Sequence, residues 1–89
     1  MRLIYQDAGT GSMSVMTKIE PGATIPAHRH SKADETVFVL SGDFIEAGTV
    51  YSSGTFFFGK AGAPHGPHKS AGGCVVITTF SAPLDFDLV

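Results

Sequence analysis

Four histidines are present, and three of them fall with one glutamate into an ordered pattern. Pro26-Ala27-His28-Arg29-His30 sets two imidazoles at i and i+2. On an extended segment successive side chains alternate faces, so His28 and His30 point one way and Arg29 the other. Four residues separate His30 from Glu35, enough for a turn that brings the next strand back alongside with Glu35 facing the pair. Downstream, Ala63-Pro64-His65-Gly66-Pro67-His68 offers two more imidazoles in a loop stiffened by two prolines. Three neutral imidazoles and a carboxylate form a mixed nitrogen and oxygen donor set that suits a divalent first-row metal. Each residue taken singly has an ordinary alternative. An HxH pair can chelate adventitiously, and a carboxylate such as Glu35, beside Lys32 and Asp34, is ordinarily a solvated strand end. His68, between Pro67 and Lys69, reads as an exposed loop histidine in preference to a fifth ligand or a general base. Cys74, leading Val75-Val76-Ile77, reads as a buried hydrophobe rather than a nucleophile. No serine sits in the strand–turn–helix context of a hydrolase triad.

These residues need a scaffold, and composition points to strands. Eleven glycines and five prolines are spread through 89 residues, leaving few stretches in which a helix could propagate. Between them lie β-favouring runs at Arg2–Gln6, Ser14–Ile19, Thr36–Leu40, Phe44–Ala47, Thr55–Phe58 and Cys74–Phe80, with Leu84–Leu88 a further candidate. Turn signals separate the runs: Pro21-Gly22, Ser41-Gly42-Asp43, Ala47-Gly48, Ser53-Gly54 and Gly72-Gly73. Gly9–Ser14 reads as a loop. Many short strands with turn chemistry between them predict an all-β sandwich or barrel in a single domain spanning residues 1–89. Val37–Leu40 and Phe56–Phe58 are apolar on both faces, so both faces need cover. By parity Phe57 points one way and Phe56 with Phe58 the other. A chain this short buries only about 60–65% of its unfolded surface, so a metal, a second subunit or both are expected to add stability.

The glycines around the histidines carry a more specific signal. Gly22, five residues, His28-Arg29-His30, four residues, Glu35, six residues, Gly42 resembles in full the first motif of the cupin superfamily. Gly54, five residues, Lys60, one residue, Gly62, two residues, His65 resembles the second, with Lys60 in place of the usual proline and Lys69 in place of the usual asparagine. Within the cupins, the stretches from Asp34 to Gly42 and from His65 to Cys74 look like two small groups. One is the cupin domain of ChrR-type anti-sigma factors, the other the single-domain diketone and dihydroxyacetophenone dioxygenases. The resemblance implies a double-stranded β-helix, a jelly-roll barrel with a metal at its mouth. It also implies His28, His30, Glu35 and His65 as the ligands. Lys60 and Lys69 fall at turn-shaping positions.

Two functions follow from that resemblance. The first is a non-haem metal-dependent dioxygenase acting on a small enolisable oxygenated compound, with Glu35 a ligand or, if displaced, a carboxylate base. The second is a non-catalytic zinc- or small-molecule-binding module of the ChrR type; the helical sigma-binding domain that precedes the cupin in those factors is not seen in this sequence. Iron, manganese, zinc, nickel and copper all suit the donors. A net charge of −2 gives no electrostatic footprint for nucleic acid or an anionic membrane. The longest apolar runs are four residues, and no signal-peptide pattern opens the chain. With one cysteine, an internal disulfide is impossible, so a cytoplasmic setting is expected; strands apolar on both faces in so short a chain make a homodimer the expected state.

Overall fold

The structure, a computed structural model, describes residues 1–83 and the backbone of 87–88; for His28 it describes the backbone alone. Among the described residues ten strands occur, in the order β1 (Arg2–Gln6), β2 (Met13–Ile19), β3 (Thr24–Ile25), β4 (His28–Arg29), β5 (Glu35–Glu46), β6 (Thr49–Ser52), β7 (Phe56–Gly59), β8 (His68–Lys69), β9 (Cys74–Phe80) and β10 (Asp87–Leu88). Among the described residues there is no helix, and therefore none long and apolar enough to cross a membrane. The expected run at 84–88 lies outside the described residues except for the backbone of β10.

One strand organises the rest. β5 is twelve residues long, and its two halves belong to different parts of the sheet. Glu35 to Gly42 pairs with β9, and Glu35 to Phe38 also pairs with β7 on the other side. Asp43 to Glu46 pairs with β6, and its last two residues also with β8. The sequence predicts two strands here with a turn at Ser41-Gly42-Asp43. The chain instead continues through that segment, with a register shift between Val39 and Ser41 and Gly42 at φ 83°. A bulge followed by a left-handed glycine bends a strand without ending it, which curls the sheet into a half-barrel. β2 then pairs along the whole of β9, and β1 along β2. The return after His30 also differs from expectation: β4 pairs with β10, not with β5.

The concave face holds the core. Period-two alternation buries Val37 and Val39 on β5, Val15 and Ile19 on β2, and Cys74, Val76, Thr78 and Phe80 on β9. They form two clusters. Ile19, Val37, Val39, Phe44, Cys74 and Val76 make one, with Ile25 and Phe57 packed against it; Val15, Ala33 and Phe80 make the other. Phe57 faces inward while Phe56 and Phe58 are exposed, as parity requires. Cys74 is buried in the first cluster, as its apolar run suggested.

Candidate metal centre

Glu35 opens β5 on the buried face, two residues ahead of Val37. The backbone brings two histidines to it from different segments. β7 pairs Gly59 with Glu35, so the chain leaving β7 starts its next loop beside the carboxylate. That loop is pinned to the segment 30–34 by Gly62 N–H donating to the His30 carbonyl (2.7 Å) and Ala61 N–H donating to Asp34 Oδ1 (2.8 Å). Asp34 is itself held by reciprocal bonds with Ser81, at the end of β9. His65 therefore arrives beside Glu35 as a consequence of local pairing. Gly59 lies directly against both groups: a Cβ there would meet His65 Nδ1 at 3.4 Å and Glu35 Oε1 at 3.8 Å, ordinary contact distances.

The outcome is a compact donor set. His65 Nε2 lies 3.2 Å from Glu35 Oε1, and His30 Nε2 lies 3.8 Å from Glu35 Oε2. One ligand-type atom from each of His30, Glu35 and His65 falls within 4.8 Å of the other two. His30 and Glu35 are buried and His65 is half-buried. The His30 ring meets Phe80 edge-on at 5.2 Å, which fixes its plane. Burial raises the Glu35 carboxyl above the usual carboxylate range, even though His30 and His68 pull it down. A buried carboxylate with two imidazole nitrogens at these distances fits a divalent cation, whose charge would compensate the desolvation. The set expected from sequence is thus assembled for His30, Glu35 and His65, while the side chain of His28 lies outside the described residues.

His68 departs from expectation. It is buried, on β8, and its Nδ1 pairs with Glu46 Oε2. Its ring stacks on Phe44 at 5.2 Å and 28°. The reason lies in β-pairing: His68 is the direct cross-strand partner of Glu46, so both side chains leave the sheet on the same face. Prolines and a lysine around His68 suggested a solvent loop, but two residues of strand suffice to turn it inward. Glu46 was missed altogether. It follows the buried Phe44 at i+2, and that spacing was the available signal for an inward carboxylate. Glu46 Oε1 also accepts Gly66 N–H at 2.8 Å. Burial pushes the Glu46 carboxyl up, but donors on His68 and Gly66 outweigh it and hold the group below its ordinary range.

Above these groups the half-barrel is hollow. One cavity of about 250 Å³ is walled by aliphatic and aromatic side chains with His30, Glu35 and His68 among them. A second of about 220 Å³ adds Glu46, Phe57 and His65, and shares Glu35, Val37, Phe44 and His68 with the first. Val37 and Phe57 line this space, and Val39 is fully buried in the core beside it. The arrangement can hold a cation on one wall and a small, mostly apolar molecule against it.

Comparison with solved structures returns the same architecture. An uncharacterized conserved protein with a double-stranded β-helix domain from Klebsiella pneumoniae superposes with a TM-score of 0.82 at 22% identity, over 100% of this chain and 78% of that one. KdgF from a Halomonas species gives 0.81 at 25% identity, over 94% and 78%. An acetylacetone dioxygenase from Acinetobacter johnsonii gives 0.80 at 21% identity, over 94% of this chain and 60% of that one. Comparison with curated proteins yields no match. A family model described as the ChrR cupin-like domain matches residues 1–84. With the half-barrel, the double-stranded β-helix neighbours and a family match over nearly its whole length, the chain belongs to the ChrR cupin-like domain family, within the cupin superfamily.

Proposed function

We propose that this protein is a metal-dependent, dioxygenase-type cupin acting on a small enolisable oxygenated compound such as a diketone. The observation that carries the reading is the convergence of His30, Glu35 and His65, whose ligand-type atoms lie within 4.8 Å of one another between two adjoining cavities that share Glu35. His28, in motif register with His30, is assigned as the fourth ligand. When bound, a divalent metal supplies Lewis-acid polarisation of substrate oxygens and, if iron, manganese, nickel or copper, the redox capacity that dioxygen chemistry requires. The protein's own part is binding and orientation. Val37, Phe44 and Phe57 exclude water from the reacting end, and His30 and His65 are steered by the ring of Phe80 and by the loop pinned to Asp34. Glu35 serves as a ligand or, when displaced, as a carboxylate base. A cytoplasmic setting fits a lone, buried Cys74.

The family match favours a second reading, because it runs through residues 1–84 to a domain described as ChrR cupin-like. In that reading the site holds zinc and binds a small molecule without turnover. Elemental analysis of protein purified without added metal, with oxygen uptake on acetylacetone, separates the two. Iron or manganese with oxygen consumption matched to diketone loss is the expected result. Zinc at full occupancy, with no oxygen uptake after iron reconstitution, would replace the enzyme reading by the second.

A further inference from the structure

The wall of the first cavity carries a polar group that neither the core nor the donor trio uses. Thr78 lies on the concave face of β9 between Val76 and Phe80, and pairing sets it between Val37 on β5 and Val15 on β2. Four apolar neighbours on one face make valine the ordinary residue at such a position. Thr78 is only 6% exposed, and it lines the cavity. Among the described residues its hydroxyl has no hydrogen-bond partner, yet the oxygen is not sealed in the packing. The adjacent threonine shows the contrast. Thr79, on the convex face, shares a hydrogen bond of 2.9 Å with the Ser14 hydroxyl across the strand pair. A buried hydroxyl without a partner opposes folding, and a methyl group in its place would not. The fold therefore gives no reason for the Thr78 hydroxyl, whereas an occupant of the cavity does.

Pairing also fixes where that hydroxyl stands relative to the metal centre. Glu35 is opposite Phe80 and Val37 is opposite Thr78, so Thr78 lies one row along the strands from Glu35. Two residues of strand span about 7 Å, the reach of an extended chain of about five bonds. Apart from Thr17, Thr78, His30, Glu35 and His68, the described lining is apolar, and it includes no lysine or arginine. An anionic group beside Thr78 would lose water without gaining a counter-charge. A neutral oxygen suits the hydroxyl, which donates to a carbonyl or accepts from an alcohol.

We propose that Thr78 is a specificity-determining residue that reads a second, neutral oxygen on the ligand, about five bonds from the oxygens held at the metal centre. This rests on the reading that a small oxygenated compound places its head at His30, Glu35 and His65. It makes that compound bifunctional, with a hydroxyl or carbonyl on a chain whose apolar part lies along Val15, Val37 and Val76. A site built to hydrogen-bond such a group rejects the analogue without it far more strongly than an apolar wall rejects an extra methyl group.

The test uses cobalt-loaded protein and two hydroxamates of equal size, ω-hydroxypentanohydroxamic acid and hexanohydroxamic acid. They differ only in a hydroxyl that replaces the terminal methyl group. Shifts of the visible cobalt bands report that the head reaches the metal, and calorimetry gives each affinity. In Thr78→Val the ratio of affinities should move toward the methyl probe by about tenfold, the worth of one hydrogen bond. Thr78→Ser restores the hydroxyl and should return the ratio to within about twofold of wild type. Thr78→Val should also melt no lower than wild type, because its hydroxyl serves no partner in the fold. An unchanged ratio in Thr78→Val, no recovery in Thr78→Ser, or a lower melting temperature in Thr78→Val would each overturn the assignment of Thr78. Cobalt bands that neither probe shifts would overturn the reading of a ligand head at the metal centre, and the inference with it.

Discussion

Glu35 is the residue on which the site turns. Its carboxyl is buried, raised by that burial, and flanked by imidazole nitrogens at 3.2 and 3.8 Å. Each neighbour is itself a metal donor, so one cation would satisfy three groups that come from separate segments. We predict that His65→Ala and His30→Ala each weaken metal binding by at least about tenfold to a hundredfold and lower the melting temperature. A chelator should lower the melting temperature of the wild-type protein and leave those of the variants nearly unchanged. Full metal content in purified His65→Ala would remove it from the site. His68→Ala should behave differently, retaining metal while losing about 2 kcal/mol of stability, because Glu46 is left half-buried without its partner. Denaturant titration against metal analysis separates the two classes of variant. The trio was legible because ligand type and spacing survive in the chain as a motif. The Glu46–His68 pair was not, because its members belong to strands that only tertiary pairing aligns.

At the scale of elements, β5 and its bend decide which side chains reach the site. Val37 and Val39 face the core at odd positions, while Phe44 faces inward at an even one, as does its i+2 neighbour Glu46. The shift between Val39 and Ser41 reverses the parity, so counting outward from Val37 would have placed Glu46 on the wrong face. The turn signal Ser41-Gly42-Asp43 split this strand in the sequence reading, which saw no inward carboxylate, though β1 and β9 were read to the residue. Gly42 is fixed by geometry twice over. Its φ is 83°, and a Cβ would fall 2.1 Å from the Gly73 carbonyl oxygen and 2.7 Å from Cys74 Cα, both backbone atoms. Gly42→Ala should therefore cost about 3 kcal/mol or more by chemical denaturation, and a loss under about 1 kcal/mol would refute the bend's role. Next to it, Asp43 ties the bend to the β8–β9 connection. Its carboxylate accepts Ala71 N–H (2.9 Å), Gly72 N–H (3.1 Å) and Ser70 Oγ–H (3.0 Å), and the Ala71 and Gly72 bonds do most to hold the carboxyl below its ordinary range. A depressed carboxyl stabilises the fold above its unfolded value, and that contribution disappears as pH falls through the folded one. Asp43→Asn should be less stable than wild type near neutrality, with the gap closing as pH falls below the ordinary aspartate value of about 4. Parallel stability curves over that window would show that the charge does not matter.

The whole molecule presents a second face that the core does not use. Register places Phe56 opposite Phe38, Phe38 opposite Ile77, and Ile77 opposite Met16, one side chain per strand across β7, β5, β9 and β2. Directly paired residues share a face, so this apolar row crosses the convex side of the sheet. Phe56 and Phe58 are each 63% exposed, and Leu40 and Phe38 are exposed beside them. Aromatic and aliphatic side chains without a charge at the centre of the patch have the make-up of a dimer interface, and a two-fold axis lets the same row pack on itself. We propose that a second copy of the chain covers this face, leaving both concave cavities open to ligand. Phe56→Glu puts a charge in the middle of that contact and touches none of the cavity's polar groups. It should convert the protein to a monomer by light scattering at micromolar concentration while retaining β-sheet circular dichroism and bound metal. A wild-type protein that is already a monodisperse monomer under those conditions, with metal bound, would show that the exposed row has another purpose.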